Sequence, residues 1–281
     1  MQTLLNTPHE IIQQNILGAA AKARTRILNI LVLGMMAGSF IAMGAQSSSL
    51  AVHNISNVGL ARTLAGYIFP VGLMMIVFVG GELFTGDCMM SMAWMQRKIH
   101  FADMLRTLVL VYVSNFVGAA LIAFLVAHSG QYDYSSGALG AYTIKVAYGK
   151  VHLSFANALV SGILCNILVC VAVLMAAAAK DIAGKVLAIF FPILAFVVSG
   201  FEHCVANMYY IPAGIFASKN AAYAAKALEL YNIDSTQLSS LNWGSFAISN
   251  LIPVTIGNII GGALLVGGAC FYLHGKSLHE S

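Results

Sequence analysis

Two short polar stretches interrupt otherwise apolar sequence. The first reads Gly81-Glu-Leu-Phe-Thr-Gly-Asp87 and the second Gly200-Phe-Glu-His-Cys-Val-Ala-Asn-Met208. An acid and an imidazole side by side at membrane depth are costly unless they face protein or water. Both stretches repeat one spacing: Glu82 stands five positions before Asp87, and Glu202 five before Asn207. A continuous membrane helix would not gather Gly, Glu, His and Asn at one level. The pattern therefore predicts two helices broken at the bilayer midplane, with the breaks facing a pore. A broken helix leaves backbone N–H groups without intrahelical acceptors. Its N-terminal end also carries a positive dipole that favours anions. The second half-helices are expected to start near Asp87 and Ala206.

The side chains around the breaks suggest a division of labour. His203 titrates near neutrality when unperturbed, so it can donate a hydrogen bond to a small anion or protonate it. The alternative is a histidine that only ties its loop together. The Thr85 hydroxyl can reach both His203 and a passing solute, or satisfy its own backbone. Glu82 and Glu202 would repel an anion, so they are expected to accept hydrogen bonds from loop amides, with proton relay as the second reading. Asp87 and Asn207 belong to the same loop-structuring set. Phe69, Leu73, Leu83, Phe84 and Phe196 are large enough to form apolar gates. Lys150 stands before the fourth spanning helix, where it can raise local anion concentration or simply snorkel. Asn166 and Asn258 are expected as buried amides that satisfy the broken backbones, with pore contact as the lesser role.

Composition says what must hold these groups. Apolar residues make up 59% of the 281 and charged residues 9%, with a mean hydropathy of +0.84. Soluble domains carry about 25% charged residues, so the chain reads as an integral membrane protein. The formal charge of +4 is modest and implies no nucleic-acid partner. Five cysteines lie in apolar segments without C-x-x-C spacing or paired histidines, so they read as small buried side chains, with no metal site and no cofactor expected. No cleavable leader pattern is expected at the N-terminus.

Six spanning helices are expected, at about 27–49, 64–94 (broken), 104–127, 154–179, 186–216 (broken) and 245–273. A preceding interfacial helix is expected at 8–22, with Pro8 at a first helical position. The domain reading is an N-terminal amphipathic segment over 1–26, one channel domain over 27–275 and a tail over 276–281. The fold class is an all-α membrane protein with an inverted 3+3 repeat, its copies at about 27–128 and 152–275. Asn115-Phe-Val-Gly-Ala-Ala-Leu-Ile122 matches Asn258-Ile-Ile-Gly-Gly-Ala-Leu-Leu265, and the two broken motifs precede them in corresponding places. Three spans per copy force the second copy to enter from the opposite face, and discontinuous helices in such repeats mark the binding site. Loop Lys and Arg favour both termini on the cytoplasmic side of the cell membrane.

Glu82-Leu-Phe-Thr85, Gly200-Phe-Glu-His-Cys-Val-Ala-Asn-Met208 and Ile252-Pro-Val-Thr-Ile-Gly-Asn-Ile-Ile-Gly-Gly262 resemble the characteristic segments of the formate/nitrite transporter family, and the likeness runs over nearly the whole chain. The resemblance implies an aquaporin-like protomer in a homopentamer, one pore per protomer, with the central axis filled by lipid. It makes His203 the central pore histidine and Thr85 its partner. It places Leu73, Leu83 and Phe84 at a cytoplasmic-side constriction and Phe69 and Phe196 at a periplasmic one. Lys150 and Asn166 match a pore lysine and a fourth-helix asparagine, and residues 8–22 match a segment linked to pH-dependent gating. Cargo in such proteins includes formate, nitrite, hydrosulfide, and lactate or acetate. Gly86-Asp87-Cys88 and Cys204 lean toward formate-type members. The expected function is thus a channel for small monovalent anions, formate first. An aquaporin-type neutral-solute channel would want paired Asn at its half-helix starts and an arginine filter, yet Asn207 is matched by Asp87. An enzyme built on Glu202–His203 would need a nucleophile or metal set that is not present in the sequence.

Overall fold

The structure is a computed structural model that describes residues 5–275. The expected tail at 276–281 and the first residues of the 1–26 segment lie outside that range. Among the described residues, six helices are long and apolar enough to cross a membrane. In chain order the elements are α1 (Pro8–Lys22), α2 (Ile27–Val52), α3 (Val58–Val79), α4 (residues 84–95), α5 (Phe101–Ala127), α6 (Ala138–Val151), α7 (Phe155–Ala178), α8 (Ile182–Ser199), α9 (Cys204–Ala217), α10 (Ala221–Tyr231) and α11 (Trp243–Gly275). The chain is an all-α membrane protein whose second and fifth spans are broken, as α3 plus α4 and α8 plus α9.

Local chemistry sets the helix ends. Thr7 caps α1 in a capping box with Glu10, and Pro8 sits in the first turn, where its missing N–H costs nothing. Asp181 caps α8 and Ser154 caps α7 through their side chains. The first half of each broken span stops at a glycine with positive φ, Gly80 at 101° and Gly200 at 69°. Only glycine adopts such angles freely, so each break is written into the chain by one residue.

Helix α2 packs along α5, and α7 along the middle of α11. Contacts this close need glycine: a Cβ on Gly38 would lie 2.0 Å from the Asn115 carbonyl oxygen, and one on Gly257 would lie 2.2 Å from that of Leu159. Small-residue contacts of this kind are the usual means of helix association in membranes. Helix α9 is buried along nearly its whole length.

Two helices of more than ten residues were not expected from sequence. Helix α6 lies between the third and fourth expected spans and α10 between the fifth and sixth, where no helix is expected, and both are too short to span. Helix α6 completes the internal symmetry, because it precedes α7 as α1 precedes α2. One constant offset relates Lys22 to Lys150, Leu33 to Ser161 and Gly34 to Gly162.

Candidate functional site

Each break is held by one asparagine and the same backbone partners. At the first, Asn115 Oδ1 accepts from the Phe84 N–H at 3.0 Å, while its Nδ2 donates to the carbonyls of Glu82 and Gly34, both at 2.8 Å. At the second, Asn258 Oδ1 accepts from the Cys204 N–H at 2.9 Å, and its Nδ2 donates to Glu202 O at 3.0 Å and Gly162 O at 2.7 Å. The Glu82 N–H donates to Leu33 O and the Glu202 N–H to Ser161 O. Every partner in one set is the repeat counterpart of a partner in the other. A buried backbone group without a partner is expensive, and these amides remove that cost.

This network moves the half-helix starts. They begin at Phe84 and Cys204, earlier than the expected Asp87 and Ala206, because Asn115 and Asn258 cap the first amides. It also corrects the role expected of the glutamates. Their side chains meet ammonium and amide groups rather than loop N–H groups. Glu202 Oε1 accepts from Lys150 Nζ at 2.7 Å, and its Oε2 accepts from Asn207 Nδ2 at 2.7 Å and Asn250 Nδ2 at 3.2 Å. On the other side Lys22 Nζ lies against both Glu82 and Asp87. Lys150 is therefore an ion-paired side chain of the second break, and Lys22 is its counterpart at the first.

Burial opposes the charge on Lys22, but the facing Asp87 and Glu82 carboxylates outweigh it and hold its pKa above the ordinary lysine value. The two ends differ in charge, since Asp87 occupies the place that Asn207 holds opposite.

Between the breaks stands His203, which caps α9: its Nδ1 accepts from the Ala206 N–H at 3.1 Å. With Nδ1 accepting, Nε2 carries the proton and donates to Thr85 Oγ1, 2.9 Å away. The Thr85 hydroxyl is then free to donate its own proton onward. Both side chains are buried. Asn166 donates to the Thr85 and Asn258 carbonyls at 3.1 and 2.7 Å, which fixes Thr85 against the second repeat.

Three cavities lie in a row through this region. The first, of about 530 Å³, opens beside α1 and is lined by Lys22, Leu73, Glu82, Leu83 and Asp87 among others. The last, of about 270 Å³, lies on the α6 side and is lined by Phe69, Lys150, Phe196, Glu202 and His203. Between them is a gap of only about 10 Å³ bounded by Phe69, Leu73, Leu83, Phe196 and His203, room for about one water molecule. Leu73 and Leu83 are shared with the α1-side vestibule, and Phe69, Phe196 and His203 with the other. The Phe69 and Phe196 rings meet edge-on with centroids 5.5 Å apart.

Phe84 is placed elsewhere. Its ring packs edge-on against Tyr112 at 4.8 Å and faces a separate apolar groove with Leu105 and Ile256. Leu83 is the extended residue just before the half-helix and Phe84 its first residue, so the two side chains point to different faces. Asn166 and Asn258 hold backbone, and neither they nor the fully buried Thr85 line the vestibules or the gap; His203 is the member of the Thr85–His203 pair that borders the gap. Sequence reading passed over Lys22, Asn115 and Asn250 as site residues. The offset joining Lys22 to Lys150 was the signal for the first, and the Asn115–Asn258 match was the signal for the second. Asn250, which donates to the Lys150 carbonyl at 2.9 Å, carried none.

Comparison with known proteins agrees with this architecture. The formate/nitrite transporter family matches residues 9–272. Transporter YrhG of Bacillus subtilis is 38% identical, with 96% of this chain and 94% of the relative covered. Formate channel FocA of Haemophilus influenzae is 36% identical, with 89% and 88% covered. Among solved structures, a pentameric formate channel with formate bound superposes with a TM-score of 0.78 at 31% identity, covering 89% of this chain and 98% of that one. The chain, a multi-pass membrane transport protein with its spans broken at Gly80 and Gly200, belongs to the formate/nitrite transporter family.

Proposed function

We propose that the protein is a channel for small monovalent anions, with formate as its first substrate. The observation that carries this is His203, hydrogen-bonded to the buried Thr85 hydroxyl, at the edge of a one-water gap between two vestibules. An anion leaving the Lys150-side vestibule must shed water to pass Phe69 and Phe196, and desolvating a charge is costly without a partner. The Thr85 hydroxyl, polarised by the imidazole that donates to it, supplies a hydrogen bond to a carboxylate oxygen at that point. His203 either supports this bond or passes the proton that makes the cargo a neutral acid. Leu73 and Leu83 close the path on the other side and reject larger or divalent ions. Lys150 acts within its break as the counter-charge to Glu202, and Lys22 as the cation shared by Glu82 and Asp87, so that each glutamate faces an ammonium group.

The likeness to a pentameric channel with formate bound supports a homopentamer with a pore in each protomer and lipid along the central axis. The loop charges support a cell-membrane location with α1 and both termini on the cytoplasmic side. Nitrite and hydrosulfide are the alternative cargoes, since the apolar gap selects by size and charge rather than by chemical identity. The repeat bounds, 27–128 and 152–275, are extended in this reading to take in α1 and α6.

The test is formate uptake into proteoliposomes with Thr85→Val and His203→Ala. Both substitutions are expected to suppress uptake, and the His203 variant is expected to lose pH dependence between about pH 5 and 8. Wild-type uptake in both would refute the role given to the pair.

A further inference from the structure

A cavity of about 550 Å³ lies beside the Lys150-side vestibule, lined by His53, Asn54, Arg62, Tyr142, Lys145 and Tyr231 among others. Val52, Arg62 and Tyr142 belong to both spaces, so the two adjoin. Among the described residues, no Asp or Glu lines the side cavity.

Its two permanent cations are held in place without being neutralised. Arg62 Nη1 donates to the Val198 carbonyl at 3.2 Å, at the end of the first half of the broken span. The same guanidinium lies over Gly200, where a Cβ would come within 2.5 Å of Nη1. A guanidinium has five N–H donors, and this anchor uses one of them. Lys145 Nζ lies 5.3 Å from the Tyr231 ring centroid and 5.5 Å from that of Tyr142. Aromatic faces steady an ammonium electrostatically but leave its net charge.

Nearby acids have other partners. Glu202 is taken by Lys150, Glu229 by Lys226 and Asp133 by the Tyr223 hydroxyl. Among the described residues, neither Arg62 nor Lys145 has a carboxylate within ion-pair distance. His53 bonds the Leu50 carbonyl and the Ser135 hydroxyl, and so sits at the rim already engaged. The vestibule on the α1 side contrasts with this, since its charged lining is Glu82, Asp87 and Lys22.

We infer that this side cavity is a second anion-binding chamber, in which Arg62 and Lys145 collect small carboxylates and Arg62 passes them to the vestibule of Lys150. The inference rests on the anion-channel reading above. The planar fork of a guanidinium matches two carboxylate oxygens in a way an ammonium does not, which suits Arg62 to formate-like cargo. Lys150 cannot do the collecting, because Glu202 neutralises it. The chamber is open to water, so its contribution is to capture rate and local concentration, and it fades as salt screens the two charges.

The experiment measures formate uptake into proteoliposomes against formate concentration, at low and high ionic strength, for wild type, Arg62→Gln, Lys145→Gln and the double variant. At about 10 mM ionic strength the double variant is expected to need about three- to tenfold more formate for half-maximal uptake, and the gap should close near 1 M salt, where charges are screened within about 3 Å. Arg62→Lys should recover only part of the loss, because it keeps the charge and loses the fork. Both side chains are exposed, and unchanged thermal melting of each variant would exclude misfolding as the cause. An equal half-saturating concentration for wild type and double variant at low salt would overturn the chamber and leave the channel reading standing. A wild type that takes up no formate would overturn both.

Discussion

Replacing Asn258 with Ala removes one side chain and strips three backbone groups at the second break. Asn258 Oδ1 takes the Cys204 N–H, and its Nδ2 serves Glu202 O and Gly162 O. Gly162 lies within α7 and keeps a helical partner for its carbonyl, so the cost falls on the Cys204 N–H and the Glu202 carbonyl. Leaving a buried group unsatisfied costs about 1–3 kcal/mol, which gives about 2–6 kcal/mol for the pair. Interhelical hydrogen bonds in membrane bundles average nearer 0.6 kcal/mol, which sets a floor of about 1 kcal/mol. A value of about 3 kcal/mol corresponds to a melting shift on the order of 6–12 °C for a chain of this size. The assay is thermal unfolding of the detergent-solubilised protein at one scan rate, since such proteins unfold irreversibly. Because Asn115 performs the same service at the first break, Asn115→Ala should cost a similar amount. A melting temperature within about 1 °C of wild type for both variants would refute the claim that these amides hold the breaks.

Other perturbations follow from the same contacts. Lys150→Gln leaves Glu202, whose side chain is 7% exposed, without its cation; breaking a buried pair costs about 3–5 kcal/mol, and Lys150→Gln with Glu202→Gln together should recover much of that stability in the same melting assay. Asp87→Asn copies the arrangement of Asn207 on the opposite side, so it should leave the melting temperature equal or higher, whereas Lys22→Gln should lower it by removing the counter-charge to two carboxylates. Gly200→Ala forces a side chain into a left-handed backbone at φ 69° and against Arg62, costing about 1–2 kcal/mol in conformation alone, read as a fall in melting temperature.

Much of this was visible in the sequence because membranes penalise ambiguity. A Glu-His pair inside an apolar run admits few structures, and the Asn115–Asn258 match set the inverted repeat before any coordinates. Thr85 and His203 met as expected, at 2.9 Å. What escaped was reach. In sequence Lys22 is only the last residue of the helix expected at 8–22, since nothing local says that α1 folds back so that this residue enters the first break. Lys150 reads as a free cation because its acid lies far along the chain. The resemblance groups Phe84 with Leu83 at one constriction, although Leu83 is the extended residue before the half-helix and Phe84, its first residue, turns to Tyr112. Helix α6, rich in Ala and Gly, has too short an apolar pattern to be told from a loop until its symmetry with α1 is seen.

The central claim is that a small anion crosses between the two vestibules at the Thr85–His203 pair. The most direct measurement is flux of labelled formate against a neutral solute of similar size, formamide, through proteoliposomes holding wild type or Thr85→Val. The account predicts formate flux well above formamide flux in wild type, and loss of that preference in the variant. Equal flux of both solutes in wild type, or an unchanged preference without the Thr85 hydroxyl, would contradict it.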